Sequence, residues 1–192
     1  MQGEVIVPSR QSAPVQLPPR RPEPMSIRAE VIEEINRVRM NPLSYADLIA
    51  ARLDSYQGPE GKAAIRETID VLRATAPLRP LEPVEALEAA ALDHVVDQGR
   101  NGLRGHKGSD GSEPFDRVRR YLNTNGAGEN IAYGLWNARE MVMALLIDDG
   151  IPSRGHRKNI LNPSYELIGV AAGEHPEYRI VCVMDFAYPT RH

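Results

Sequence analysis

Apolar residues follow a helical period through the first part of the chain and a strand-like rhythm near its end, and that change predicts an α+β fold. From Ser26, a plausible N-cap with Glu30 a few residues on, Ile27, Val31, Ile32, Ile35 and Val38 recur at helical spacing up to Asn41-Pro42. A second helical run covers Leu43 to Leu53. Gly58-Pro59 and Gly61 then punctuate the chain before a third at Ala63 to Leu72. Beyond the loop Ala76 to Leu81, the stretch Val84 to Val96 sets Leu87, Ala90, Ala91, His94 and Val95 near one stripe and predicts a central packed helix. A short helix from about Glu113 to Tyr121, a short strand at Glu129 to Tyr133 and a helix at Ala138 to Ile147 follow. Leu167 to Ala172 and Tyr178 to Phe186, joined by residues 173–177, predict a hairpin. Helices first and a small, mostly antiparallel sheet late is an α+β order.

The N-terminal stretch breaks both rhythms. Pro8, Pro14, Pro18, Pro19, Pro22 and Pro24 come with few large apolar side chains, a composition that favours extended, solvated backbone. Residues 1–25 are therefore expected to form an arm or linker, and residues 26–192 one domain. A chain of 192 residues is long enough for a single sizeable core. Its 23 basic and 26 acidic residues are spread along the chain without a basic stripe, which argues against a nucleic-acid partner. No stretch approaches the roughly 20 consecutive apolar residues of a membrane span, and no signal-peptide layout opens the chain. The single cysteine, Cys182, sits in the apolar run Ile180 to Met184 and is expected to be a buried, inert hydrophobe.

Polar islands interrupt the second half of the chain at Gly105-His106, Gly128-Glu129-Asn130-Ile131 and Asp148 to Leu161. Each couples ionisable residues to glycines and turn formers, the means by which distant segments bring side chains to one cleft. His106, Glu129, Asp149 and His156 are separated by 23, 20 and 7 residues, so only tertiary structure unites them. If they converge, two imidazoles and two carboxylates offer ligands for a divalent ion such as Zn²⁺, or a general acid/base pair. The same residues also fit turn capping and backbone hydrogen bonding with no further role. His94, on the central helix, is read as a core or boundary residue rather than a ligand. Ser153 is read as a turn former, and Trp136 as packing between sheet and helix.

At these positions the chain resembles the CAP domains, also called SCP. They include cysteine-rich secretory proteins, venom allergens, plant pathogenesis-related proteins and many bacterial envelope proteins. The landmarks run in family order from about residue 27 to 188: Asn36 with Arg39, Pro80-Leu81, Leu87 to Ala91, Gly105-His106 with Gly108 to Gly111, Gly128 to Ile131, and Gly155 to Leu161 running on to Gly169-Val170. The Asp-Asp-Gly-x-Pro-Ser-Arg-Gly-His-Arg run and the missing disulfides are similar to the bacterial branch. The resemblance implies an α-β-α sandwich, with a small antiparallel sheet between helical layers and a cleft lined by His106, Glu129, His156 and a fourth acid, assigned to Asp149. It further implies a monomeric protein of the secretome or cell envelope whose tetrad takes up zinc or another divalent cation and a lipid, glycan or protein ligand. Two alternatives stand beside this: a metal-dependent hydrolase in which Glu129 or Asp149 activates water, and a metal-free structural cleft.

Overall fold

The computed structural model describes residues 24–189, so the arm expected at 1–25 lies outside the described residues apart from Pro24 and Met25, where the first helix opens. Seven helices and four strands follow one another along the described residues. They are α1 Pro24–Met40, α2 Pro42–Ala50, α3 Lys62–Ala74, β1 Glu82–Pro83, α4 Glu85–Asn101, α5 Pro114–Arg119, β2 Ala127–Tyr133, α6 Ala138–Ile147, α7 Gly155–Ile160, β3 Leu167–His175 and β4 Arg179–Ala187. Helix α6 starts and stops where the apolar period predicts. Helix α1 opens two residues before Ser26, which therefore lies inside the helix and not at its cap.

The strands form one sheet in the order β1-β3-β4-β2. The expected hairpin is β3 and β4, antiparallel and in register from Leu167↔Ala187 to His175↔Arg179, with β2 added antiparallel along the other side of β4. The sheet is mostly antiparallel, as expected, and is made mixed by the two-residue strand β1, which pairs parallel with β3. So short a strand carries no apolar period, and its hold is local: Glu82 N donates to Glu166 O at 2.8 Å and Val84 N to Ile168 O at 2.9 Å.

Because side chains alternate along a strand, each strand feeds two layers. Ala132, Cys182, Met184, Phe186, Ile168 and Val170 join the large core made with α1, α2, α3 and α6. Ile131, Tyr133, Val181, Val183 and Ala171 face the other way and pack against Ala91 and Val95 of α4. The result is the expected α-β-α sandwich. Glu129 and Asp185 lie on the α4 face too, since they are cross-strand partners two residues from the Ile131↔Val183 pair.

Two contacts fix the layers. The buried guanidinium of Arg39 on α1 donates to the carbonyls of Arg79, Ile160, Asn162 and Tyr165 at 2.8–3.0 Å, tying α1 to the end of α7 and the approach to β3. On the opposite face α4 lies directly on β3 at Gly169, where an added Cβ would stand 2.1 Å from Leu87 C and 2.2 Å from Glu88 N. Backbone cannot yield as a flexible side chain can. Gly169→Ala is therefore expected to lower the unfolding free energy by about 2–3 kcal/mol, measured by urea denaturation, and a neutral result would mean that α4 can slide on the sheet.

Candidate functional site

His106 is carried by the loop between α4 and α5, and a buried polar network fixes that loop from beneath. Gly105 O accepts from His94 Nε2 at 2.8 Å and from Gln98 Nε2 at 2.6 Å. Gly105 N donates to Tyr133 Oη at 3.1 Å, and that hydroxyl donates to Gln98 Oε1 at 2.7 Å. His94 is thus a support beneath the site; it is fully buried, and burial holds its pKa below the usual imidazole value. The His106 ring, partly open to solvent, then meets Glu129 of β2 at 2.7 Å between Nδ1 and Oε1. The other Glu129 oxygen accepts from Arg117 Nη2 of α5 at 2.7 Å, and the same nitrogen reaches His106 O at 2.9 Å. Burial pushes the Glu129 carboxyl up; the His106 hydrogen bond and the fields of His94, Arg117 and His106 outweigh it, leaving the pKa below its ordinary value.

His156 opens α7 and has its own carboxylate, but that partner is Asp148 rather than Asp149. Asp148 caps the C-terminus of α6 in the left-handed region, at φ 54° and ψ 37°, a conformation that a short polar side chain tolerates. The reversal aims its carboxylate inward. Oδ1 meets His156 Nδ1 at 2.7 Å, and Oδ2 accepts from the backbone N–H of His156 at 2.9 Å and of Arg157 at 3.3 Å. Asp149 consequently points outward, where it accepts from Tyr56 Oη at 2.8 Å and Glu60 N at 2.9 Å. It anchors the loop after α6 to the α2–α3 connection, with help from Arg154, which pairs with Glu60 of that connection at 2.7 Å and with Glu67 of α3 at 2.9 Å. The structure therefore brings together His106, Glu129 and His156, adds Asp148, and leaves Asp149 outside.

The two halves meet across the edge strand β2. Asn130 Nδ2 donates to His156 O at 3.0 Å, while Asn159 Nδ2 bonds Asn130 Oδ1 at 2.8 Å and Glu129 O at 3.2 Å, so side chains from α7 occupy the strand's outer edge. The imidazole centroids stand 6.4 Å apart with 33° between the rings. Around them lies a pocket of about 210 Å³ lined by His106, Glu129, Ile151, Ser153, His156 and Asn159. That volume suits a small group or the end of a longer molecule. A larger hollow of about 410 Å³ between α1 and α6 has no imidazole, and its charges are already answered by the Arg52–Glu140 and Arg139–Glu34 pairs at 2.6 and 3.0 Å.

Among the described residues no group of three or more His, Cys, Asp or Glu side chains is arranged to hold a metal ion. The donor set explains this: both Glu129 oxygens and both Asp148 oxygens are engaged, and each imidazole spends Nδ1 on its carboxylate. In this arrangement Glu129 is engaged by His106 and Arg117. Nε2 of His106 and Nε2 of His156 are the ring atoms suited to ligation, in the carboxylate–histidine pattern that sets tautomer and orientation. Such a set fits an open, water-completed site, not a closed four-ligand one. Away from the pocket, Cys182 is buried in β4 with its thiol pushed up to about 12 by burial, and Trp136 packs against the main core.

A family model described as "CAP: Cysteine-rich secretory protein family" matches residues 33–186. The Bacillus subtilis (strain 168) protein YkwD, itself described as uncharacterized, is 41% identical over 66 residues, which are 34% of this chain and 24% of that protein. An outer surface protein of Borrelia burgdorferi superimposes with a TM-score of 0.51 at 24% identity, over 59% of this chain and 80% of that one. An extracellular SCP-domain protein of Bacillus anthracis gives 0.50 at 24% identity, over 65% of this chain and 38% of that one. These likenesses bear on the fold. No helix among the described residues is long and apolar enough to cross a membrane.

The two adjacent aspartates separate in a direct test. Asp148→Ala leaves two backbone N–H groups and an imidazole without their acceptor and is expected to cost about 2–4 kcal/mol of unfolding free energy. Asp149→Ala removes contacts at the surface and is expected to cost about 1 kcal/mol or less. Denaturant unfolding of the two variants checks the order, and equal losses would contradict the assignment.

Proposed function

The chain belongs to the CAP, or cysteine-rich secretory protein, family, and from that premise we propose that it is an extracytoplasmic binding module. In this reading its paired imidazoles take up a divalent cation, zinc above all, and present it to a ligand in the small pocket at the sheet edge. One observation carries the reading: two imidazoles from separate layers face one pocket, and a buried or loop-bound carboxylate holds the Nδ1 of each. His106 and His156 would hold the ion through Nε2, with Glu129 and Asp148 setting the tautomers. A cation so bound supplies Lewis acidity and positive charge toward an oxygen or carboxylate of a ligand. Placement outside the cytoplasm is supported by the surface and extracellular relatives.

Water activation by Glu129 or Asp149 finds no support in the geometry. Glu129 already answers His106 and Arg117, and Asp149 answers Tyr56 and Glu60. A general base needs a carboxylate free to reach the water it deprotonates. The module reading therefore stands ahead of the hydrolase one.

Calorimetric titration of zinc into metal-stripped protein tests the proposal. The wild type is expected to bind saturably in the micromolar range, as suits two protein ligands completed by water, and the His106→Ala/His156→Ala variant to bind at least tenfold more weakly. Absence of binding by the wild type would overturn the cation reading and leave the imidazole–carboxylate pairs as supports of a metal-free cleft.

A further inference from the structure

Asp185 is a buried acid that the site as described does not use. It lies in the middle of the sheet on β4, directly opposite Glu129 of β2 and Gly169 of β3. Cross-strand partners share a face with their Cβ atoms about 4.5–5.5 Å apart. Asp185 is fully buried and Glu129 nearly so. Neither Asp185 oxygen receives a hydrogen bond from any donor among the described residues, and the polar group it reaches is the Glu129 carboxylate.

The charges around this pair come from every element packed on it: Arg117 from α5, His94 from α4 and His106 from the loop between them, while β3 contributes only Gly169. Among these groups Arg117 is the permanent cation. Its Nη1 goes to Ser112 O at 3.0 Å and its Nη2 to His106 O and Glu129, while its Nε finds no acceptor, so the guanidinium does not bond Asp185. Two facing carboxylates cannot hydrogen-bond without a proton between them. Burying both as anions beside a single bonded cation would leave one charge uncompensated in a dry layer.

We propose that Asp185 is a neutral carboxylic acid that donates its hydroxyl hydrogen to the Glu129 carboxylate, so that the pair holds one proton and one negative charge. Glu129 then answers three donors, from His106, Arg117 and Asp185, and is fixed as the single anion of the layer. Asp185 acts as a positioning residue for His106 through Glu129. Desolvation first, and the Glu129 charge second, raise the Asp185 pKa well above its ordinary value, in agreement with this state. The inference goes beyond the cation reading and holds for the metal-free protein.

The folded state retains a proton that the unfolded chain releases above the usual aspartate range, so the contribution is fully present below the unfolded pKa and is lost as pH rises through the folded one. Carbon-13 NMR of the labelled, metal-free full chain tests the state directly, with the Asp185 side-chain carbonyl assigned through its own backbone amide. At neutral pH that carbon is expected at the protonated position; an ionised position would overturn the proposal without any variant. Asp185→Asn, whose amide still donates to Glu129, is expected to flatten the fall in unfolding midpoint that the wild type is expected to show as pH rises above the ordinary aspartate range. A slope between the ordinary aspartate range and neutral pH that Asp185→Asn leaves unchanged would also overturn it.

Discussion

A carboxylate taken out of water must be met by donors, and meeting Glu129 organises half of this protein. Arg117 has to come from α5 and His106 from the loop before it, so both are drawn to one point over the β2 edge. The loop in turn hangs on the Gly105 backbone, which His94, Gln98 and Tyr133 hold from α4 and β2. Breaking a buried pair of this kind leaves an uncompensated charge, a loss of about 3–5 kcal/mol. The pair is a device for position more than for net stability, because apolar residues of the same shape would serve the core at least as well.

The other half is built on backbone donors. Asp148 ends α6, turns the chain and receives the first N–H groups of α7 together with the His156 ring. Arg39 holds the far end of α7 by its Ile160 carbonyl, and Asn159 joins the helix to the edge of β2. Both ends of a six-residue helix are therefore pinned, which a helix so short requires if it is to place a side chain accurately. The outer ties of the same loop, from Arg154 and Asp149 to the α2–α3 connection and to α3, are more exposed and weaker.

Long amphipathic segments were legible because the helical period declares itself over many residues, as Ala138–Ile147 shows. His106, Glu129 and His156 were legible because each sits in a short glycine-bearing island. Asp148 was not, since any residue of Asp-Asp-Gly can take the left-handed conformation and the carboxylate direction depends on which one does. Arg117 hides in the basic run Arg117 to Arg120, whose other arginines are exposed, and only the packing of α5 on β2 tells them apart. Asp185 did leave a signal: an acid inside the apolar run Ile180 to Ala187, in step with inward-facing Val181 and Val183. Strand β1 left none, because two residues cannot express a period of two.

The central claim is that two carboxylates hold the two site imidazoles by Nδ1. Nitrogen-15 NMR of the histidine rings in metal-free protein measures that choice of tautomer. The account predicts the Nδ1–H form at both His106 and His156 when the rings are neutral, with Nε2 unprotonated. An Nε2–H form at either ring would contradict it, because that ring's Nδ1 would then carry no hydrogen for its carboxylate to accept.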